Sequence, residues 1–296
     1  MKRISPRVAA VHDLSGFGRV SLSIVIPILT TMGVQVCPLP TAVLSTHTGG
    51  FEHYAFLDLT DFMRRCMEHW QELGLRFHSI YSGFLGSPSQ VELVAGFIEK
   101  QRINNPLVVV DPVLADEGKL YDTMDMEMVL GMRRLIRKAD VITPNLTEAA
   151  LLLGEEYRAD LDEERLKEWL VRLADMGPKT VVITSAPLYR RGRDTSVVAF
   201  DGKGRHFWRV PCIYIPAHYP GTGDVFTSVL TGSLLQGDSL PVALDRSVQF
   251  VTQAIRASYG FDYPRRNGVL LERVLNSLNG PVNPGSFEWL DQRDEE

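Results

Sequence analysis

Apolar positions along the chain fall into two alternating kinds of segment. Short, largely apolar runs at residues 8–11, 34–39, 77–81, 107–110 and 180–183 read as buried strands, with a shorter one at 141–142. Between them lie longer stretches with helical spacing at residues 22–32, 62–73, 91–103, 126–137, 146–153 and 163–174. Pro27 falls inside the first helix and marks a point where it can bend. Strands apolar on both faces and separated by helices predict a parallel sheet covered on both sides. After Thr184 the pattern changes. Residues 196–200 and 205–210 flank Asp201-Gly202-Lys203-Gly204 and read as a hairpin. Helices are predicted from about Val225 and from about Pro241. The tail from 260 is rich in Pro, Gly and Asn, with one helix expected near 270–278. No repeat, low-complexity segment or linker interrupts this order. The expectation is an α/β fold: one doubly wound, mostly parallel sheet with helices on both faces and a small antiparallel addition. It forms a single domain over residues 1–296, on which the extension 261–296 packs.

Composition narrows the function classes. The chain has 296 residues, with 31 Lys and Arg against 36 Asp and Glu, a net charge of −5. Hydrophobic residues make up 45% and charged residues 23%, the proportions of a globular protein. Net acidity gives no electrostatic reason to bind nucleic acid or an anionic membrane surface. No apolar run reaches the ~20 residues that span a bilayer. The basic start Met1-Lys2-Arg3 is not followed by a signal-peptide core, because the run at 8–11 is broken by His12-Asp13. Cys37, Cys66 and Cys212 are scattered, and fit neither a disulfide framework nor a zinc site. A reducing cytoplasm is the expected location.

Five motifs carry candidate chemistry. Pro220-Gly221-Thr222-Gly223-Asp224 precedes an apolar helix. Glycines at a helix start allow a tight turn whose N–H groups, helped by the helix dipole, hold an anion or developing negative charge. A carboxylate there suits a general base beside a phosphoryl pocket; Asp as a simple helix cap is the plainer alternative. Val108-Val109-Val110-Asp111-Pro112, with Asp116 beyond, puts acids at the carboxyl end of a buried strand, where α/β sheets bind ligands. Such acids orient Mg²⁺, or serve a turn. Thr143-Pro144-Asn145 with Glu148 reads either as a capping box or as part of a metal–phosphate cluster. Thr184-Ser185 places two hydroxyls at another strand end. Finally, His12-Asp13-Leu14-Ser15-Gly16-Phe17-Gly18 and Ser45-Thr46-His47-Thr48 follow the first two strands and suit a small polar ring, while Phe84 follows the third. Position 21 is Ser21, so Gly16-x-Gly18 is not a dinucleotide fingerprint. Neither a P-loop nor a G-x-S-x-G elbow occurs.

In this order the motifs resemble the ribokinase-like superfamily over residues 8–259. The Ser15 loop and Ser45-Thr46-His47-Thr48 are most similar to its pyridoxal/pyridoxamine kinases. The resemblance implies ATP-dependent phosphorylation of the 5′-hydroxymethyl group of pyridoxal, pyridoxamine or pyridoxine. By the same resemblance, Asp224 is the general base, and Gly221 and Gly223 form the anion hole. Ser15, His47, Thr48 and Phe84 join Asp224 around the vitamer. Asp111, Asn145, Glu148, Thr184, Ser185 and Thr222 bind nucleotide. Asp111, Asp116, Glu148 and Thr143 lie at Mg²⁺, and Thr143 and Thr184 near a monovalent cation, K⁺. Arg209 reaches the nucleotide, and residues 213–219 cover it. The expected partners are ATP and a vitamin B6 vitamer, within a homodimer. Two alternatives stand beside this. One is a hydroxymethylpyrimidine/phosphomethylpyrimidine kinase of thiamine synthesis, which shares fold and chemistry. The other is a non-catalytic pyridoxal phosphate carrier, against which the retained Asp224 and its glycines speak.

Overall fold

Six consecutive buried residues, Val8 to Asp13, make the first strand apolar on both faces and commit it to the centre of a sheet. The computed structural model describes residues 5–188, 195–281 and 285–290. Chain order begins β1 (Arg7–Ser15), α1 (Leu22–Thr31), β2 (Gln35–Leu44), β3 (Phe56–Asp58), α2 (Thr60–Glu72), β4 (Ser79–Ser82), α3 (Pro88–Gln101) and β5 (Leu107–Val110). It continues with β6 (Ala115–Asp116), β7 (Lys119–Leu120), α4 (Met126–Ile136), β8 (Val141–Ile142), α5 (Leu146–Leu153), α6 (Glu163–Asp175) and β9 (Thr180–Ala186). It ends with β10 (Thr195–Asp201), β11 (His206–Cys212), α7 (Thr222–Gln236), α8 (Leu240–Tyr259) and β12 (Glu288–Trp289).

The main sheet has the order β12-β11-β10-β9-β8-β5-β4-β1-β2-β3. Pairings from β9 through β8, β5, β4 and β1 to β2 are parallel. Strands β10, β11 and β12 extend one edge antiparallel, and β3 closes the other. The alternation of inward and outward side chains sorts the core into two layers. Val108, Val110, Ile142 and Ile183 pack under α2 to α6, around the buried Trp169. Val8, Ala10, Tyr81, Val109 and Val182 pack under α1, α7 and α8. Each fully buried valine of β5 contributes roughly 1.5–3 kcal/mol of transfer free energy, which outweighs the modest β-pairing preference of so short a strand. The doubly wound, mostly parallel sheet expected from the pattern is the fold observed.

Connections determine where a ligand fits. From β1 the chain crosses through α1 to β2 on one side, and from β4 it crosses through α3 to β5 on the other, on the opposite face. Such a switch point opens a crevice at the carboxyl ends of the strands. A register shift between β1 and β2 at His12–Leu14 turns the chain at that level.

Several details differ from the sequence expectation. Strands β3, β6, β7 and β12 have two or three residues each, set by tertiary pairing rather than by a run of their own. The helix expected at 270–278 is two short 3₁₀ segments, Leu271–Arg273 and Leu275–Asn279. Val269, Leu271, Val274 and Leu278 nevertheless bury against α1, α7 and α8. None of the described helices is long and apolar enough to cross a membrane.

Candidate functional site

At the switch point lies a cavity of about 630 Å³. It is lined by residues from the ends of β1, β2, β4, β5, β8 and β9 and from the start of α7. Of the site residues expected from the sequence, it gathers Asp224, Gly223, Gly221, Thr222, His47, Thr48, Phe84, Asp111, Asp116, Thr143, Asn145, Glu148, Thr184 and Ser185. It does not gather Ser15 or Arg209. Strand β1 runs on past Val11, so Ser15 pairs opposite Leu44, is buried, and its hydroxyl donates to Asp13 Oδ2 at 3.1 Å. Asp13, not Ser15, faces the cavity. Arg209 is buried in β11 and is spent on Ser196 Oγ at 3.0 Å and the Leu188 carbonyl at 2.9 Å. From the segment 213–219, His218 and Tyr219 reach the lining.

The glycine–aspartate motif is built unlike a simple cap. Helix α7 starts at Thr222, so Gly223 lies inside its first turn rather than before it. Its N-cap is Gly221, at φ 83°, and no side chain caps the helix. The first-turn N–H groups therefore lack a side-chain partner at a helix end that borders the cavity. Asp224 is not the cap. Its Oδ2 instead accepts the backbone N–H of Ser21, at the start of α1, at 2.9 Å. Burial, and then the nearby Asp111 carboxylate, push Asp224 up from 3.8 to about 8, although its side chain keeps 12% of its surface open.

Asp111, one residue beyond β5, is buried beside the hydroxyl of Thr227, which lies 3.3 Å from Asp111 Oδ2 and 3.0 Å from Thr143 Oγ1. Burial raises its pKa against the pull of those two hydroxyls. Asn145 and Glu148 do form a capping box on α5: the Asn145 side chain accepts the Glu148 N–H, and Glu148 Oε2 accepts the Asn145 N–H, each at 2.9 Å. Glu148 Oε1 also accepts the Leu114 N–H at 3.0 Å. The structural reading of that motif is thus realised, and both residues still line the cavity. Burial, and then Asp111, raise Glu148 well above the usual carboxylate range. Thr184 and Ser185 sit in a β-bulge, two residues between the pairs Ile183↔Val198 and Ala186↔Ser196, which explains the φ of 59° at Ser185. His47 is neutral in its role: Nδ1 accepts the Gly49 N–H at 3.1 Å, so Nε2 donates to the Arg266 carbonyl at 2.6 Å. It serves as wall.

Ser21, Tyr121 and Thr227 have no sequence signal for the site, and Asp13 is the member of the first-strand motif that reaches the cavity. Asp13 meets the criterion that found Asp111, an acid at a strand end. Thr227 lies three residues after Asp224, on the same helix face. Ser21 gives its backbone N–H to Asp224 and its side chain to Asp13, neither of which local sequence spacing marks.

Six lining residues are carboxylic acids, Asp13, Asp111, Asp116, Glu117, Glu148 and Asp224, and none of the described lining residues is Lys or Arg. Among the described residues no three His, Cys, Asp or Glu are grouped to hold a metal by themselves. Oxygen donors without a closed cage suit Mg²⁺ shared with a phosphate ligand.

The raised carboxyls have a consequence for stability. A group whose folded pKa lies above its unfolded value stabilises the fold below the unfolded pKa, and that contribution is lost as pH rises through the folded pKa. For Asp224 the window runs from 3.8 to about 8. The Tm of the ligand-free protein is expected to fall as pH rises across this window, and to fall less in Asp224→Asn. Thermal melts across the window check it; identical slopes in the two proteins contradict it.

Similarity to known proteins identifies the family. The family profile described as phosphomethylpyrimidine kinase matches residues 26–268. A crystal structure from Bacteroides thetaiotaomicron, provisionally assigned as a phosphomethylpyrimidine kinase and solved in a form with pyridoxal, is 56% identical. It covers 97% of this chain and 100% of its own, with a TM-score of 0.93. Pyridoxal kinase from Lactobacillus plantarum is 34% identical, with a TM-score of 0.84 and coverage of 93% and 97%. The hydroxymethylpyrimidine/phosphomethylpyrimidine kinase of Bacillus subtilis is 30% identical over 72% of this chain and 71% of its own. This chain therefore belongs to the phosphomethylpyrimidine kinase family and is a kinase with the ribokinase-like fold.

Proposed function

We propose that the protein transfers the γ-phosphoryl group of ATP to the 5′-hydroxymethyl group of a vitamin B6 vitamer. The observation that carries this is Asp224: a partly buried carboxylate in the first turn of α7, released from capping and facing the cavity. Asp224 takes the hydroxyl proton as the substrate oxygen bonds to the γ-phosphorus. The bond from that phosphorus to the bridging oxygen breaks, and ADP leaves with the electron pair. Gly221 and Gly223 let the uncapped N–H groups of α7 meet the charge that develops on the transferring group. Asp111, Asn145, Glu148, Thr184, Ser185 and Thr222 hold nucleotide. Thr143 and Thr184 stand where K⁺ is expected. Asp111, Asp116 and Glu148, with Thr143 beside them, would hold Mg²⁺, which when bound supplies the positive charge that offsets the triphosphate. Burial lifts Asp224 toward the neutral range, where a general base accepts a proton most effectively. His47, Thr48, Phe84 and Asp13, the last held from behind by the Ser15 hydroxyl, wall the vitamer pocket.

The pyridoxal-containing form of the Bacteroides relative supports a pyridine substrate. The Bacillus relative supports a second reading, a hydroxymethylpyrimidine substrate for the same chemistry. The test of the transfer itself is mass-spectrometric detection of phosphorylated vitamer alongside ADP, with and without Mg²⁺. Equimolar products that vanish on chelation are expected. ADP without a phosphorylated vitamer would contradict the proposal.

A further inference from the structure

His12 lies in β1 under the cavity, and its side chain is wholly buried. Neither Nδ1 nor Nε2 has a hydrogen-bond partner among the described residues. Buried polar atoms are ordinarily partnered, so an imidazole held this way needs a reason. The slot around it is specific. A Cβ at position 83 would stand 2.3 Å from His12 Nδ1 and 2.4 Å from Cε1, so Gly83 leaves the room that the ring fills. Tyr81 packs edge-on, with ring centroids 4.4 Å apart at 79°. The Nδ1 edge lies 3.9 Å from Asp224 Oδ1, while the other carboxylate oxygen accepts the Ser21 N–H at 2.9 Å. Burial lowers the imidazole pKa to about 3, so the ring is neutral and carries one N–H.

We propose that His12 is a positioning residue: with its proton on Nδ1 it donates to Asp224 Oδ1, and with the Ser21 N–H it fixes the plane of that carboxylate against the substrate hydroxyl. The proposal rests on Asp224 as the general base. Closing the gap to a hydrogen bond takes a movement of about 1 Å. A substrate that fills the cavity supplies the need for it. It displaces water from the open part of Asp224, and the carboxylate then depends on donors from the protein. Of the other ionisable groups around the pair, Asp13 and Asp111 repel a carboxylate's charge and Tyr81 is a neutral phenol, while His12 Nδ1 stands 3.9 Å from Asp224 Oδ1.

Steady-state kinetics of His12→Phe, His12→Asn, Asp224→Asn and the His12→Phe/Asp224→Asn double variant test this. Phenylalanine fills the slot without an N–H; asparagine keeps an N–H near the Nδ1 position. His12→Phe is expected to lower kcat on the order of 10²-fold, with KM for ATP and pyridoxal within about twofold. His12→Asn should recover most of the loss, and His12→Phe should cost nothing further on top of Asp224→Asn. Nitrogen-15 NMR of the wild-type imidazole with ADP and pyridoxal bound should show the Nδ1–H tautomer. Wild-type kcat in a folded His12→Phe beside an inactive Asp224→Asn overturns the positioning role alone. An Nε2–H tautomer overturns it even where the phenylalanine variant does not fold. Normal turnover in Asp224→Asn overturns the base assignment, and the positioning role with it.

Discussion

Asp224→Asn is expected to lose about 10²–10⁴-fold in turnover, the range for removal of a general base, while nucleotide binding is kept. Asparagine is nearly isosteric, and its carbonyl oxygen still accepts the Ser21 N–H that holds this position between α1 and α7. What disappears is the group that takes the proton. The substitution takes no hydrogen-bond donor or cation from the nucleotide pocket, so ATP should bind no more weakly than before. The loss should therefore fall on kcat, with KM for ATP unchanged or lower. Stopped-flow nucleotide binding and steady-state kinetics separate the two. Turnover within about tenfold of wild type contradicts the assignment of Asp224.

The two glycines of the same motif should behave differently from one another. Gly221 stands at φ 83°, and a Cβ there would lie 2.3 Å from the Arg19 carbonyl oxygen and 2.7 Å from Ile24 Cδ1. A backbone oxygen cannot swing aside, and a left-handed conformation adds about 1 kcal/mol of strain for alanine. Gly221→Ala should cost about 2–4 kcal/mol of stability and displace the start of α7. Turnover should fall with it, on the order of 10²-fold. Gly223 has open space: the nearest atom to its Cβ would be Asp111 Oδ2 at 3.9 Å. Gly223→Ala should fold with stability within about 1 kcal/mol, since alanine favours a helix, yet place a methyl between α7 and Asp111 and impair phosphoryl transfer. Thermal melts paired with kinetics read both. Equal stability losses in the two variants would contradict this division of roles.

How much of this was legible in the sequence depended on how local the signal is. Leu107–Val110 is four apolar residues closed by Asp111-Pro112, and it could only be a strand buried on both faces. Helix α6, with acids in its first turn and Leu166, Trp169, Leu170 and Leu173 on one face, was equally plain. Strand β3 was not, because its three residues are exposed and its pairing with β2 is a tertiary event. The tail read as helical because Leu271, Val274 and Leu278 sit at helical spacing, but surrounding Asn, Ser and Gly residues yield 3₁₀ turns instead. At the site, acids at strand ends were found because the α/β topology puts them there. The apolar run stops at Val11, but β1 continues for four more residues, which carry Asp13 to the cavity and hide Ser15 behind it. His12 stands in the first-strand motif, but nothing local marks it as a partner of Asp224. Its meaning depends on Gly83 and Asp224, 71 and 212 positions away in the chain.

Side-by-side kinetics with Mg·ATP and four acceptors, pyridoxal, pyridoxamine, pyridoxine and hydroxymethylpyrimidine, address the substrate directly. A carboxylate-walled pocket containing Asp13, His47 and Thr48, in a chain so close to a relative crystallised with pyridoxal, predicts that a B6 vitamer has the highest kcat/KM. The margin over hydroxymethylpyrimidine should be tenfold or more, roughly what one well-placed polar contact provides. A kcat/KM for hydroxymethylpyrimidine equal to or above that of every vitamer would contradict the assignment and make the pyrimidine the substrate.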